Sequence, residues 1–123
     1  GCNMVAEIMK GLNQFFSQFG TAYIETSVPE NAKFPYITYK CGSEDWKNKA
    51  LISCSIYSKS SSYVELSEIA EKILDSARDG AIINVDGGYL CIYLGEPEFQ
   101  IVPNTDYNIR QGYINFVLHC EVR

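Results

Sequence analysis

The run Ile52-Ser53-Cys54-Ser55-Ile56-Tyr57-Ser58-Lys59-Ser60-Ser61-Ser62-Tyr63-Val64-Glu65-Leu66 changes its period half-way along. Apolar and small polar residues alternate from Ile52 to Tyr57, the pattern of a strand with one buried face, because successive side chains of a strand point to opposite sides. Beyond the serines the period lengthens to that of a helix. Leu66, Ile69, Ala70, Ile73, Leu74 and Ala77 recur three and four residues apart and stop before Asp79-Gly80, where a glycine can take a left-handed cap. Ser62 and Glu65 have capping-box spacing, the serine oxygen accepting from the N3 amide and the glutamate reaching back to the cap amide, and this predicts a helix from Tyr63. A strand therefore feeds a helix that presents one apolar face to a sheet.

On the N-terminal side, Val5, Ile8, Met9, Leu12, Phe15, Phe16 and Phe19 trace a second apolar stripe, predicting an amphipathic helix with Asn3 as its cap and Gly20 as its end. Gly11 interrupts it at a cost of roughly 1 kcal/mol, which tertiary packing has to offset. Thr21 to Glu25 reads as a short strand and Thr26 to Lys33 as a loop. Phe34-Pro35 then opens a strand at Tyr36 to Cys41 with Ile37, Tyr39 and Cys41 on one face, proline being suited to an edge strand or a strand start. The polar run Gly42 to Lys49 reads as a long hairpin tip bearing the only tryptophan, Trp46.

On the C-terminal side, Ala81 to Val85 and Tyr89 to Leu94 flank Asp86-Gly87-Gly88, a hairpin signal because these residues tolerate positive φ. Phe99 to Val102 reads as a short strand and Pro103 to Asp106 as a turn. Ile114, Phe116, Leu118, Cys120 and Val122 form the buried set of an alternating last strand. This order predicts an α+β domain, a mainly antiparallel sheet with two helices packed on one face.

At 123 residues the chain reads as a single domain, 1–123. A chain of that size buries about 65% of the surface its unfolded form exposes and needs no metal or disulfide staple. Its composition, 46% hydrophobic and 20% charged, is that of a soluble globular protein, with no apolar run suited to a membrane span. Five cysteines, odd in number and without C-x-x-C spacing, read as small hydrophobes kept reduced in a cytosol. Cys2-Asn3-Met4 leads straight into the first helix, so no signal peptide is expected. A formal net charge of −5 without a Lys/Arg cluster argues against a phosphate-neutralising face.

A catalytic constellation is hard to find. His119 adjoins Cys120, but neighbours on a strand point to opposite faces, so a nucleophile and base pair would need a partner from another strand. Cys41, Cys54 and Cys120 fall on core faces and Cys91 on the other. Asp86-Gly87-Gly88 and Gly80 are too sparse for a phosphate loop. Ser58 to Ser62 with Lys59 offers either an anion site or, more simply, a capped turn. The carboxylates Glu7, Glu25, Glu44, Asp45, Glu65, Glu68, Glu71 and Asp75 are scattered, those of the second helix on its polar face, and solvation explains them. No catalytic residue, metal or cofactor is expected. What stands out is nine tyrosines. Tyr36, Tyr57, Tyr89, Tyr93 and Tyr113 fall opposite the core set, interleaved with Thr38, Ser53, Ser55, Asn84 and Asn115. Tyrosine gives large contact area at low entropy cost, so this face reads either as an interface or as an ordinary half-exposed sheet face.

In order and size the chain resembles the tail terminator, or tail-completion, proteins of long-tailed bacteriophages and prophage elements. The likeness lies in the N-terminal amphipathic helix, the strand Phe34-Pro35-Tyr36-Ile37-Thr38-Tyr39, the polar hairpin tip, the strand Ile52 to Tyr57 running through serines into Tyr63-Val64-Glu65, and the alternating last strand. It implies a structural subunit, not an enzyme, that forms a homo-oligomeric ring, commonly a hexamer, on the head-proximal end of the tail tube. Such a ring ends tube polymerisation and joins the tail to a head connector protein, and DNA passes through without specific binding. Expected contacts with a neighbour or the tube are Trp46, Tyr36, Tyr57, Tyr89, Tyr93 and Tyr113; expected lumen residues are Glu44, Asp45, Glu96 and Glu98. The expected location is the virion tail, assembled in the bacterial host cytoplasm, with no membrane partner. The competing readings are a head-completion or connector subunit, a small ferredoxin-like enzyme using Cys91 or His119, and a general peptide- or ligand-binding module.

Overall fold

The computed structural model describes residues 5–41 and 49–123. Helix α1 (Val5–Ser17) leads into β1 (Thr21–Ile24), a 3-10 turn (Glu25–Ser27) and β2 (Tyr36–Cys41); β3 (Lys49–Lys59) runs into α2 (Val64–Arg78), and β4 (Ala81–Val85), β5 (Gly88–Val102) and β6 (Ile109–Val122) complete the chain. The strands form one six-stranded sheet in the order β1-β2-β3-β6-β5-β4. Only β1 and β2 pair in parallel; every other neighbour is antiparallel. The domain is therefore α+β with a mainly antiparallel sheet, as the alternating periods predict. The predicted cap Asn3 and the hairpin tip with Trp46, Glu44 and Asp45 lie outside the described residues.

Alternation sets the two faces of the sheet. Ile37, Tyr39, Ile52, Cys54, Ile56, Ile83, Leu90, Ile92, Ile114, Phe116 and Leu118 are all buried, with Ile8, Leu12, Phe15 and Phe16 from α1 and Leu66, Ala70, Ile73 and Ala77 from α2 packed against them. Phe16 stacks on Tyr39 at 5.1 Å and meets Phe116 edge-on at 5.5 Å, while Phe15 meets Phe116 at 6.2 Å. The Tyr39 hydroxyl accepts from Asn13 Nδ2 at 3.1 Å, which satisfies a phenol otherwise submerged in apolar surroundings. Gly11 has its explanation here: a Cβ on it would lie 2.7 Å from Leu90 Cδ1 and 3.1 Å from Val85 Cγ1. The helix gives up propensity to let the β4–β5 hairpin close against it.

Several local expectations are corrected. The helix after the serines starts one residue later than predicted, and the Ser62–Glu65 capping box does not form. Ser62 Oγ instead accepts from the amide of Val64 at 3.1 Å, and the Ser62 amide donates to Ser60 Oγ. Glu65 is drawn elsewhere, because Ser58 is wholly buried and its hydroxyl donates to Glu65 Oε1 at 2.5 Å. A buried hydroxyl without a partner costs more than an exposed cap. Of the two settings expected for Pro35 the structure shows the strand start, since β2 begins at Tyr36 and lies between β1 and β3. Val122, expected in the core, is 59% exposed, because it pairs with Gly88 at the sheet margin, past the last core residue of β6. The cysteines are not uniformly reduced: Cys41, Cys54 and Cys91 are free thiols, whereas Cys120 is disulfide-bonded.

The segment after Leu94 is not a separate strand. β5 continues to Val102 against the same partner, with Leu94 opposite Phe116 and Phe99 opposite Ile114, so Gly95, Glu96, Pro97 and Glu98 bulge out against Asn115 alone. Beneath this region Gly112 leaves room for α2: a Cβ there would stand 2.8 Å from Phe99 Cε1 and 3.1 Å from Leu66 Cδ1.

Candidate assembly surface

Both helices cover one side of the sheet, and the side chains of opposite parity form the other. The register places all five predicted tyrosines there. At the β1–β2–β3 end, Tyr36 and Tyr57 are cross-strand partners whose rings stack at 4.9 Å. Tyr23 and Phe34 close on Tyr36 at 5.9 and 5.1 Å, and Lys59 Nζ lies over the Phe34 ring at 5.9 Å. Gln111 Nε2 donates to the Tyr57 hydroxyl at 3.4 Å. Burial pushes the Tyr36 phenol above its ordinary value, with Tyr57 and then Tyr23 adding to the effect. Four aromatic rings thus form one pre-ordered cluster.

The middle of this face is small and polar. Thr38 and Ser53 are buried although no helix covers them, and together with Ser55, Tyr113, Lys40 and Glu25 they line a dimple of about 20 Å³. Its rim carries an exposed ion pair, Lys40 to Glu25 at 3.9 Å, of the kind that contributes little. Toward the other end the face becomes apolar. Leu51, Val117 and Tyr93 lie side by side across β3, β6 and β5, with Leu51 55% and Tyr93 43% exposed. Tyr93 meets the His119 ring edge-on at 5.9 Å. Tyr89 lies under the Arg123 guanidinium at 5.7 Å, and that guanidinium also donates to Asn84 Oδ1. The tyrosines therefore form one cluster and three outlying contacts, not a continuous belt.

The remaining candidates sit as follows. Glu96 and Glu98 are exposed on the β5 bulge, which is tied to this side of the sheet by Asn115 Nδ2 donating to the Pro97 carbonyl at 2.9 Å. Cys91 stands directly opposite His119, the cross-strand arrangement that a thiol and imidazole would need, but among the described residues no hydrogen bond joins them. Cys54 is fully enclosed and its thiol is pushed strongly upward by burial; Cys41 is pushed up to about 11 for the same reason. The serine turn before α2 is spent on internal contacts, with Lys59 turned to Phe34 and Arg110 donating to the carbonyls of Tyr107 and Ser61. On the helix side a shallow cleft of about 340 Å³ between α1 and the β4–β5 turn is lined by Glu7, Lys10, Gly11, Gln14, Asn84, Val85 and Asp86. Among the described residues no group of three or more His, Cys, Asp or Glu side chains is placed to hold a metal, and no helix is long and apolar enough to cross a membrane. What the open face can do chemically is bury tyrosine and aliphatic surface against another polypeptide.

Sequence reasoning did not include Tyr23, Phe34, Leu51 and Val117 in this surface. The signals were present: the aromatic-proline-aromatic run at 34–36 and the odd-numbered positions of β3 and β6, which alternation sends to the open side.

No family model and no curated protein matches the chain. A solved structure does: a chain of the virion of a native gene transfer agent (GTA) particle superposes with a TM-score of 0.70, over 98% of this chain and 99% of that one, at 12% identity. The fold is shared with a virion chain. At that identity the likeness concerns architecture from end to end and assigns no role to individual residues.

Proposed function

We propose that the chain is a non-catalytic structural subunit of a phage-like virion that forms a ring on the head-proximal end of the tail tube, ends tube polymerisation and joins the tail to the head connector. The observation that carries this reading is the end-to-end fold likeness to a chain of a GTA virion. The open face supports it, since a pre-ordered aromatic cluster at one end and exposed Leu51 and Tyr93 at the other offer contact surface to a neighbour. In this reading Tyr36, Tyr57, Tyr89, Tyr93 and Tyr113 meet an adjacent subunit or the tube, and Trp46 is a further anchor. Glu96 and Glu98, with Glu44 and Asp45, line a lumen whose negative charge keeps passing DNA from sticking, consistent with the formal net charge of −5. The subunit is assembled in the bacterial cytoplasm and ends in the tail.

The test is loss of the gene in cells producing the particle, followed by electron microscopy. Tubes of uncontrolled length lacking heads are expected. Tails of normal length joined to heads, with this chain absent, would refute the proposal. Tails of normal length left unjoined would move the subunit to the connector side.

A further inference from the structure

The two edges of the sheet differ from the one stretch of edge that the fold has blunted. Past Ile92, β5 has no β4 beside it, and there the edge is broken by the bulge Gly95 to Glu98, whose Glu96, Pro97 and Glu98 are all exposed. Charge, proline and a bulge are the usual ways of stopping a sheet edge from pairing with another chain. β4 itself, on the same margin, has none of these. Its sequence Ala81-Ile82-Ile83-Asn84-Val85 is uncharged, regular in register, and exposes Ile82 to 66%. β1 at the opposite margin, Thr21-Ala22-Tyr23-Ile24, is equally free of charge and proline.

The direction of the strands adds a geometric condition. Strand senses alternate from β2 through β3, β6 and β5 to β4, and β1 runs parallel to β2, so β1 and β4 point the same way. The tight turn at Asp86-Gly87 makes Val85 and Gly88 the closing pair of the hairpin, so by alternation Ile82 and Asn84 aim their N–H and C=O groups away from β5. A rotation axis parallel to the strands then lays β4 of one copy beside β1 of the next in parallel, both unguarded edges are used, and the contact repeats head to tail until it closes.

We infer that β4 is a pairing seam for β1 of a second copy of this chain, so that subunits join edge to edge into a continuous sheet. This rests on the ring reading for its symmetry. A β4-to-β4 pairing would use one edge only and stop at a dimer.

The test is backbone amide exchange on the full chain, free at low concentration and in its self-associated or tube-bound form. Protection of Ile82 and Asn84 together with 21–24 should rise at least tenfold on assembly. Ile82→Lys should weaken self-association at least tenfold with an unchanged melting temperature, and Asn84→Pro, which removes an outward donor, should weaken self-association likewise. Exchange that is unchanged on assembly, protection of β4 without β1, or a chain that stays monomeric both alone and on tubes would overturn the seam. A chain that associates through both edges yet fails to cap tubes would leave the seam standing and refute the proposed function.

Discussion

The two faces of this sheet are built from the same strands by the same alternation, yet they have opposite fates. On the helix side the centre is apolar, Ser58 at its margin being the buried polar exception, and the central residues Ile56, Ile92, Ile114 and Leu118 are at most 1% exposed. On the open side tyrosines alternate with serine, threonine and asparagine, and the largest apolar residues remain near half exposed. The helix face is saturated within the monomer, whereas the open face is ordered by its own ring stacking and keeps apolar surface exposed. Burial fixes the fold on one side, and the proposed function assigns the unspent contact area on the other to a partner.

The largest expected effect breaks or confirms that division. Leu118→Ala or Ile56→Ala should destabilise by about 2–5 kcal/mol in urea unfolding. Tyr93→Ala on the open face should cost no more than about 1 kcal/mol, because that side chain is already much exposed in the monomer. Equal costs would mean that the open face is also core. Next come the close approaches: Gly112→Ala should destabilise by roughly 1–3 kcal/mol, since Phe99 and Leu66 must give way. Gly11→Ala should destabilise despite the gain of about 1 kcal/mol in helix propensity, because Leu90 is fully buried and has nowhere to move.

A smaller effect is expected at the sheet-to-α2 junction, where Ser58→Ala should cost about 1 kcal/mol and free Glu65, an exposed residue that water can serve. The smallest is a slope with pH. Burial raises the Cys41 thiol from 9.0 to about 11, and Cys54 moves in the same direction. Between pH 9.0 and about 11 the folded chain therefore holds protons that the unfolded chain releases, so stability falls as pH rises through that window. Urea midpoints across it should decline more shallowly for a Cys41→Ser, Cys54→Ala variant.

Most of the fold was legible because period carries it. Ile52, Cys54 and Ile56 announce their face, and Leu66 to Ala77 theirs, without knowledge of any partner. What failed was decided by competition between distant groups. Ser62 and Glu65 have capping spacing, but buried Ser58 claims the glutamate. Gly95 to Glu98 carries turn residues, but the continuity of β5 across them follows from its pairing with β6, which no local pattern encodes. The tyrosine face was legible by parity alone; that Tyr36 and Tyr57 would stack while Tyr93 turned to His119 required the register.

The central claim is that the open face is covered in the particle, and residue-level oxidative or iodination footprinting of tyrosine tests it most directly. Tyr107, 83% exposed on the loop between β5 and β6, is the internal reference. On passing from the isolated chain to the assembled particle, Tyr93 and Tyr113 should lose most of their reactivity relative to Tyr107, and Tyr36 and Tyr57 should follow. Reactivity of Tyr93 and Tyr113 that is the same in the particle as in the isolated chain would contradict the account.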